Sequence, residues 1–433
     1  MLFSRVCLLV VVTPSRRDLL QAVAVGGTTG IAACLGGPAE DPIVARPNGS
    51  LPAGQHEWQS GLATDADGND VLPVHHVYLF CRLTADPTDT DRDRLERALS
   101  SLERAAAWRS TGLFCTVGYS AQYFDRFDVP LRDVELPTPA ELSEEIDKFP
   151  GGQPPDLDDA DLFVHLASDE AAGVLAAEAA LRGDRTTFNG TTMDGSLPDR
   201  VAIVDRRSGF VAPGLPAAKQ AERAVEPLPD EPIDDQAPLW MGFRAGYRAS
   251  QASETEVTID TGPFAGGTVA TLETFEVAVD LWYRDHDHAG RIELMFSPGH
   301  DPATVGSVGE RLGSDPDNAA AADAIHDDLE RAGKVGHAQK AARARVDGRP
   351  RLLRRDVNTV DFDVPGIHFL ALSQSAADYV TVRNALAADD LPLPVGAPSV
   401  NGITQYLHAT HRGVYLTPPR TDRSFPRPAG IRP

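Results

Sequence analysis

From residue 74 onward the chain alternates short apolar runs with stretches of helical periodicity. His76–Leu83, Gly112–Gly118 and Asp161–Ala167 have the length and apolar density of buried strands. Between the first two, Asp91–Trp108 carries Leu95, Leu99, Leu102 and Ala106 three or four residues apart, which predicts an amphipathic helix. The third strand runs straight into a helix predicted over Glu170–Leu181.

That last unit recurs. At a constant offset Ser168 matches Ser373, Ala171-Ala172 matches Ala376-Ala377, and Leu181 matches Leu386. Each copy reads as a buried strand, a serine at the helix N-cap, and an apolar-faced helix. Thr268–Leu281, with Val277, Val279 and Leu281 alternating, opens a second half of the same kind. Two βαββαβ halves follow, 74–205 and 238–420, an α+β fold of two ferredoxin-like units. Residues 206–237, rich in proline and acid, are expected to be a linker, and 300–335 an acidic insertion. Residues 35–73 read as a flexible tether and 421–433 as a tail.

Composition narrows the function. The 433 residues are 42% hydrophobic, enough for a substantial core. Net charge is −23, and only four of the 40 cationic residues are lysine: Lys148, Lys219, Lys334 and Lys340. A carboxylate-rich, lysine-poor surface suits high salt, and it argues against nucleic acid or anionic lipid as the main partner. The leader 1–34 carries Arg16-Arg17 before a weakly apolar run ending Ile31-Ala32-Ala33-Cys34. This resembles a twin-arginine export signal with a lipobox, which implies an extracellular protein whose only membrane attachment is a lipid on Cys34. Cys81 and Cys115 lie in apolar runs and read as buried small residues, with a disulfide between them left open.

Walker, His-Glu-x-x-His, Cys-x-x-Cys and Gly-x-Ser-x-Gly motifs are absent. Asp285-His286-Asp287-His288 offers metal-ligand chemistry but reads better as an acidic loop. Trp108, Trp240, Trp282 and Tyr283 are expected mostly to pack.

What remains is an ordered set of segments. These are Phe114–Ser120 with Tyr123–Phe127, the strand–helix unit at 161–181, Trp240–Gly246, Gly262–Thr268, Gly336-His337, Arg351–Asp356, and the strand and helix at 366–386. Together, over about residues 74–420, they resemble the dye-decolorising (Dyp-type) peroxidases, as a divergent, haloarchaeal-like member. The resemblance implies two ferredoxin-like halves with a b-type haem in the second. His337 matches the proximal iron ligand and Arg354 the distal arginine, with Arg355 next in register. Gly242, Phe243 and Gly246 match the pocket wall. Asn401 falls near the family's acid behind the ligand. His326, His368, His408 and His411 compete as ligands.

The sequence departs from the family where its Gly-x-x-Asp-Gly motif reads Gly242-Phe243-Arg244-Ala245-Gly246. Alanine cannot carry a proton between peroxide oxygens. Arg354 with water, Asp356, or another carboxylate could serve instead. The resemblance therefore implies peroxide-dependent oxidation of an unidentified reducing substrate. Its alternatives are a non-catalytic haem carrier, sensor or transfer protein, and a haem-free binding domain. Homo-oligomerisation is left open.

Overall fold

A computed structural model describes residues 44–428, apart from 48, 128–130, 132–133, 147–153 and 394–399. The expected export signal and Cys34 lie outside the described residues. Eight principal strands are β1 (His75–Leu83), β2 (Phe114–Tyr119), β3 (Leu162–Ser168), β4 (Val201–Phe210), β5 (Thr268–Val277), β6 (Leu353–Thr359), β7 (Gly366–Ser373) and β8 (Leu407–Thr417). The helices that matter most are α1 (Asp89–Ala105), α2 (Ala171–Arg182), α3 (His337–Ala342) and α4 (Ala376–Ala387).

Hydrogen bonding runs β5-β7-β6-β4-β1-β3-β2-β8, and β8 returns to β5, so the sheet closes. Every pairing around this ring is antiparallel. The first half has the order β4-β1-β3-β2 and the second β6-β7-β5-β8, the same ferredoxin-like arrangement twice. The halves meet through single register pairs, Asn358 with Phe210 and Leu416 with Tyr119. Among the described residues no helix is long and apolar enough to cross a membrane.

Period-two alternation separates two faces of this closed sheet. Tyr78, Phe80, Phe163, Leu272, Leu370 and Tyr415 point inward and fill the barrel. Leu79, Cys81, Val164, Cys115 and Val117 point outward beneath α1 and α2, whose Leu95, Leu99, Leu102, Val174 and Leu181 complete a second core. Cys81 and Cys115 are both buried free thiols in that layer. The expected helix at 91–108 begins two residues earlier, on a capping box in which Thr88 and Asp91 bond each other's backbone N–H. It ends at Ala105, because Ala106 is already extended.

Several expectations change. Ser168 and Ser373 close their strands rather than cap helices: their hydroxyls donate to Gly112 O at 2.6 Å and Ser375 O at 2.7 Å. The α4 cap is Ser375, which accepts from Asp378 N. The alternation at Val277–Leu281 ends as strand at Val277, and a helix starts at Val279.

The expected linker begins inside β4. Arg206 and Arg207 are tolerated there because each meets carboxylates; Arg207 is buried against Asp158 and Asp205 and covers the Phe80 ring at 4.1 Å. Residues 215–222 of the linker form a helix.

The expected tether is partly structural. Trp58 is buried and stacks on Phe114 at 4.4 Å. Gln55 bonds Val117 N and O and Pro418 O, satisfying backbone groups where β2 and β8 barely pair. The expected tail also packs: Phe425 is buried, and Arg423 pairs with Glu96 and Glu103.

Candidate functional site

The outer face of the second half is not covered by a plain helix layer. Between the strands, α3, α4 and the excursion after β5 lies a cavity with about 1450 Å3 of atom-free space, its open mouth included. Phe275, Phe369, Met241, Phe243, Phe296 and Leu386 give it an apolar lining. Among the described residues its lining carries Arg244, Arg345, Arg351, Arg354 and Arg383 with one carboxylate, Asp356, while Arg244, Arg351 and Arg383 pair with Asp65, Asp378 and Glu273. In a chain of net charge −23, Arg345 and Arg354 stand at this cavity without an ion pair among the described residues, which favours an apolar ligand bearing anionic groups.

His337 lines this cavity as the first residue of α3. Its backbone is held by two close approaches. A Cβ on Gly336 would lie 2.0 Å from Phe296 O, and one on Gly402 would lie 2.9 Å from His337 N, at a φ of +61°. Only glycine lets these three segments meet. Burial, with the nearby charges of Lys340, Arg354 and Arg383, lowers the His337 pKa to about 3. The ring is therefore neutral, and it has no hydrogen-bond partner among the described residues, so a lone pair is free for a metal.

Asn401 does not support that ring. Its Oδ1 accepts from Lys340 Nζ at 2.6 Å and its Nδ2 donates to Ala387 O at 3.2 Å. Lys340, buried and also donating to Leu386 O, Asn401 O and Thr404 Oγ1, takes the acceptor; burying an amine that can carry charge costs more than burying a neutral imidazole N–H. Burial, then the charges of Arg343 and Arg383, lowers its pKa to about 7.

Arg354 and Arg355 are separated by strand alternation. Arg354 lines the cavity, and its guanidinium has neither an ion pair nor a hydrogen bond among the described residues. Arg355 is buried 3.8 Å over the Trp58 ring and donates to His56 O at 2.6 Å. A second cavity, with about 1110 Å3 of atom-free space, its open mouth included, and walled partly by residues 69–72, adjoins the first. Arg244, Ala245, Tyr247, Arg354 and Asp356 line both, so they form the partition.

The motif 242–246 divides by role. Phe243 lines the first cavity and stacks on His288. Gly246 lines only the second, at a φ of +81°. Gly242 lines neither; its φ of +88° makes the turn, and a Cβ there would meet Tyr283 Oη at 2.8 Å. The competing histidines are elsewhere. His368 is inside the barrel bonded to Thr274 and Asp361, His326 is exposed, and His408 and His411 lie on β8 away from both cavities. In the 285–288 run, Asp287 caps a helix, His286 bonds Tyr406 and His288 bonds Gly306 O, so the side chains diverge. Among the described residues no group of three or more His, Cys, Asp or Glu could hold a metal ion.

Sequence reading missed the cover of the cavity. Tyr379, Val382, Arg383 and Leu386 form one face of α4, a spacing legible in the sequence. Beneath them Glu273 on β5 is fully buried, accepting from the Tyr379 hydroxyl and from Arg412 Nε at 2.5 Å, with Arg383 Nε 3.5 Å away.

A sequence model of a family of unknown function, DUF7405, matches residues 73–419. No curated protein matches the chain in sequence. Among solved structures, ferric DtpA from Streptomyces lividans aligns with a TM-score of 0.53 at 16% identity, covering 86% of this chain and 94% of that one. A variant of DypB from Rhodococcus jostii RHA1 in complex with heme gives 0.51 at 13%, covering 86% and 98%. A dye-decolorizing protein from V. cholerae gives 0.50 at 13%, covering 84% and 98%. At these identities the likeness is one of fold.

Proposed function

The chain belongs to the family of unknown function DUF7405, and on its Dyp-type fold we propose that it is a haem-binding, peroxidase-like protein that uses hydrogen peroxide to oxidise a reducing substrate. The observation that carries this reading is the first cavity: an apolar pocket holding a neutral histidine with no hydrogen-bond partner among the described residues, and Arg345 and Arg354 with no ion pair among them. These residues fit b-type haem. His337 would ligate the iron, and the arginine rim would receive the propionates. Bound haem would supply an iron that reacts with peroxide and draws electrons singly from a substrate.

Within that site the protein's own groups have distinct tasks. Arg354, unpaired on the partition, is placed to hold developing negative charge on an entering oxygen ligand. The apolar walls exclude water, which strengthens that interaction. Phe243 shapes the wall, while Gly242 and Gly246 let the loop turn beside it. The proposal includes export through Arg16-Arg17 and lipid attachment at Cys34, and a surface adapted to high salt.

Ala245 favours a second reading, in which the same pocket carries, senses or transfers haem without turnover, since a methyl group moves no proton. The first experiment is haem titration of the folded protein in high-salt buffer, wild type beside His337→Ala, followed by visible absorption. A Soret band that collapses in the variant is expected. No band in either protein overturns haem binding, and an unchanged band overturns His337 as ligand.

A further inference from the structure

The partition between the two cavities holds one carboxylate, Asp356, which lies two residues after Arg354 and so on the same face of β6. Neither of its oxygens has a hydrogen bond or salt bridge among the described residues, and Oδ1 is sealed from solvent. Such an arrangement is costly for an ionised group, and it survives in native structures chiefly where a ligand or a proton completes it. Opposite it on β7 stands the apolar Phe369. The charged and titratable groups around it are Arg354 on its own strand, Arg244 on the partition loop, and Tyr78 on β1. Farther along the second cavity are Asp70, Glu254 and Arg355. Arg354 pulls the Asp356 pKa down, but burial outweighs it and the net shift is upward.

Resting on the haem-peroxidase reading, we propose that Asp356 is the acid–base group of this pocket, standing on β6 in place of the carboxylate that Ala245 lacks. In the step, the Asp356 carboxylate takes the proton from the peroxide oxygen that is retained. The O–O bonding pair leaves with the other oxygen, which accepts the proton back from Asp356 and departs as water. The retained oxygen is two electrons short, and bound haem would supply those two electrons. Arg354 holds the charge that develops between the two transfers. A carboxyl lifted toward neutrality suits a group that must first accept and then donate.

The test has two arms. In the haem-free protein, infrared difference spectra across a pH titration are compared for wild type, Asp356→Asn and Asp356→Glu. A protonated-carboxyl band that titrates above the ordinary ~3.9 of aspartate and vanishes in Asp356→Asn is expected. In the haem-loaded protein, the Asp356→Asn rate with hydrogen peroxide should fall about a hundredfold or more while the Soret band persists. Asp356→Glu should keep part of that rate with a shifted pH profile, and Ala245→Asp added to Asp356→Asn should restore it. A band titrating at the ordinary value, or an unchanged peroxide rate in Asp356→Asn, overturns the assignment. Loss of the Soret band in wild type would sink the haem reading instead, and the infrared arm would still decide whether Asp356 holds a proton.

Discussion

Replacing Glu273 by glutamine isolates the buried charge that fastens α4 over the cavity. The Glu273 side chain is 0% exposed, and its partners Arg412 and Arg383 are 5% and 7% exposed. The neutral amide keeps the shape and one hydrogen bond to Tyr379, but removes the carboxylate charge that Arg412 and Arg383 share. Breaking a buried pair from one side costs about 3–5 kcal/mol. The retained hydrogen bond returns about 1 kcal/mol, so the net loss is about 2–4 kcal/mol. At 1.4 kcal/mol per tenfold, the unfolding equilibrium constant rises about 30- to 700-fold.

The pH dependence has a definite sign. Burial raises the Glu273 pKa, but Arg383, Arg412 and the Tyr379 hydrogen bond outweigh it and hold the carboxyl below its ordinary value. A depressed carboxyl stabilises the fold above its unfolded pKa of ~4.3, and that contribution is lost as pH falls through the folded value. Urea unfolding of wild type and Glu273→Gln, followed by tryptophan fluorescence and circular dichroism, should therefore show the full gap at pH 7 and a narrowing one in acid below about pH 4. Equal midpoints at pH 7, or a gap that widens on acidification, would refute the reasoning.

Two further outcomes follow from geometry alone. Gly336→Ala drives a methyl against the backbone oxygen of Phe296, which cannot move aside as a side chain can, so a loss of about 1–3 kcal/mol is expected together with weaker haem uptake, read by unfolding and by Soret titration. Cys81 and Cys115, both buried, have their thiols pushed up to about 12, so an alkylating reagent should leave both unlabelled in the folded protein and label both in denaturant.

Local periodicity alone was enough to read the duplication. The match of Ala171–Leu181 with Ala376–Leu386 rests on spacings within single strands and helices, and the two halves indeed share one strand order. The sequence resemblance singled out Gly336-His337 and Arg351–Asp356, and the structure brings His337, Arg351, Arg354 and Asp356 to one cavity. Nonlocal pairing decided the rest. Alternation says that Arg354 and Arg355 face opposite ways, but only the pairing of β6 with β7 turns Arg354 toward the cavity. Asn401 lies near α3 as expected, yet its amide serves Lys340, an ammonium whose burial depends on the C-terminal end of α4. Gln55 and Trp58, in a stretch that resembles a tether, become structural because β2 and β8 leave backbone groups that something distant in the chain must satisfy. Asp356 reads in the sequence as one acid among 63; its meaning comes from its carboxylate receiving no hydrogen bond among the described residues, a property of the closed sheet that no spacing records.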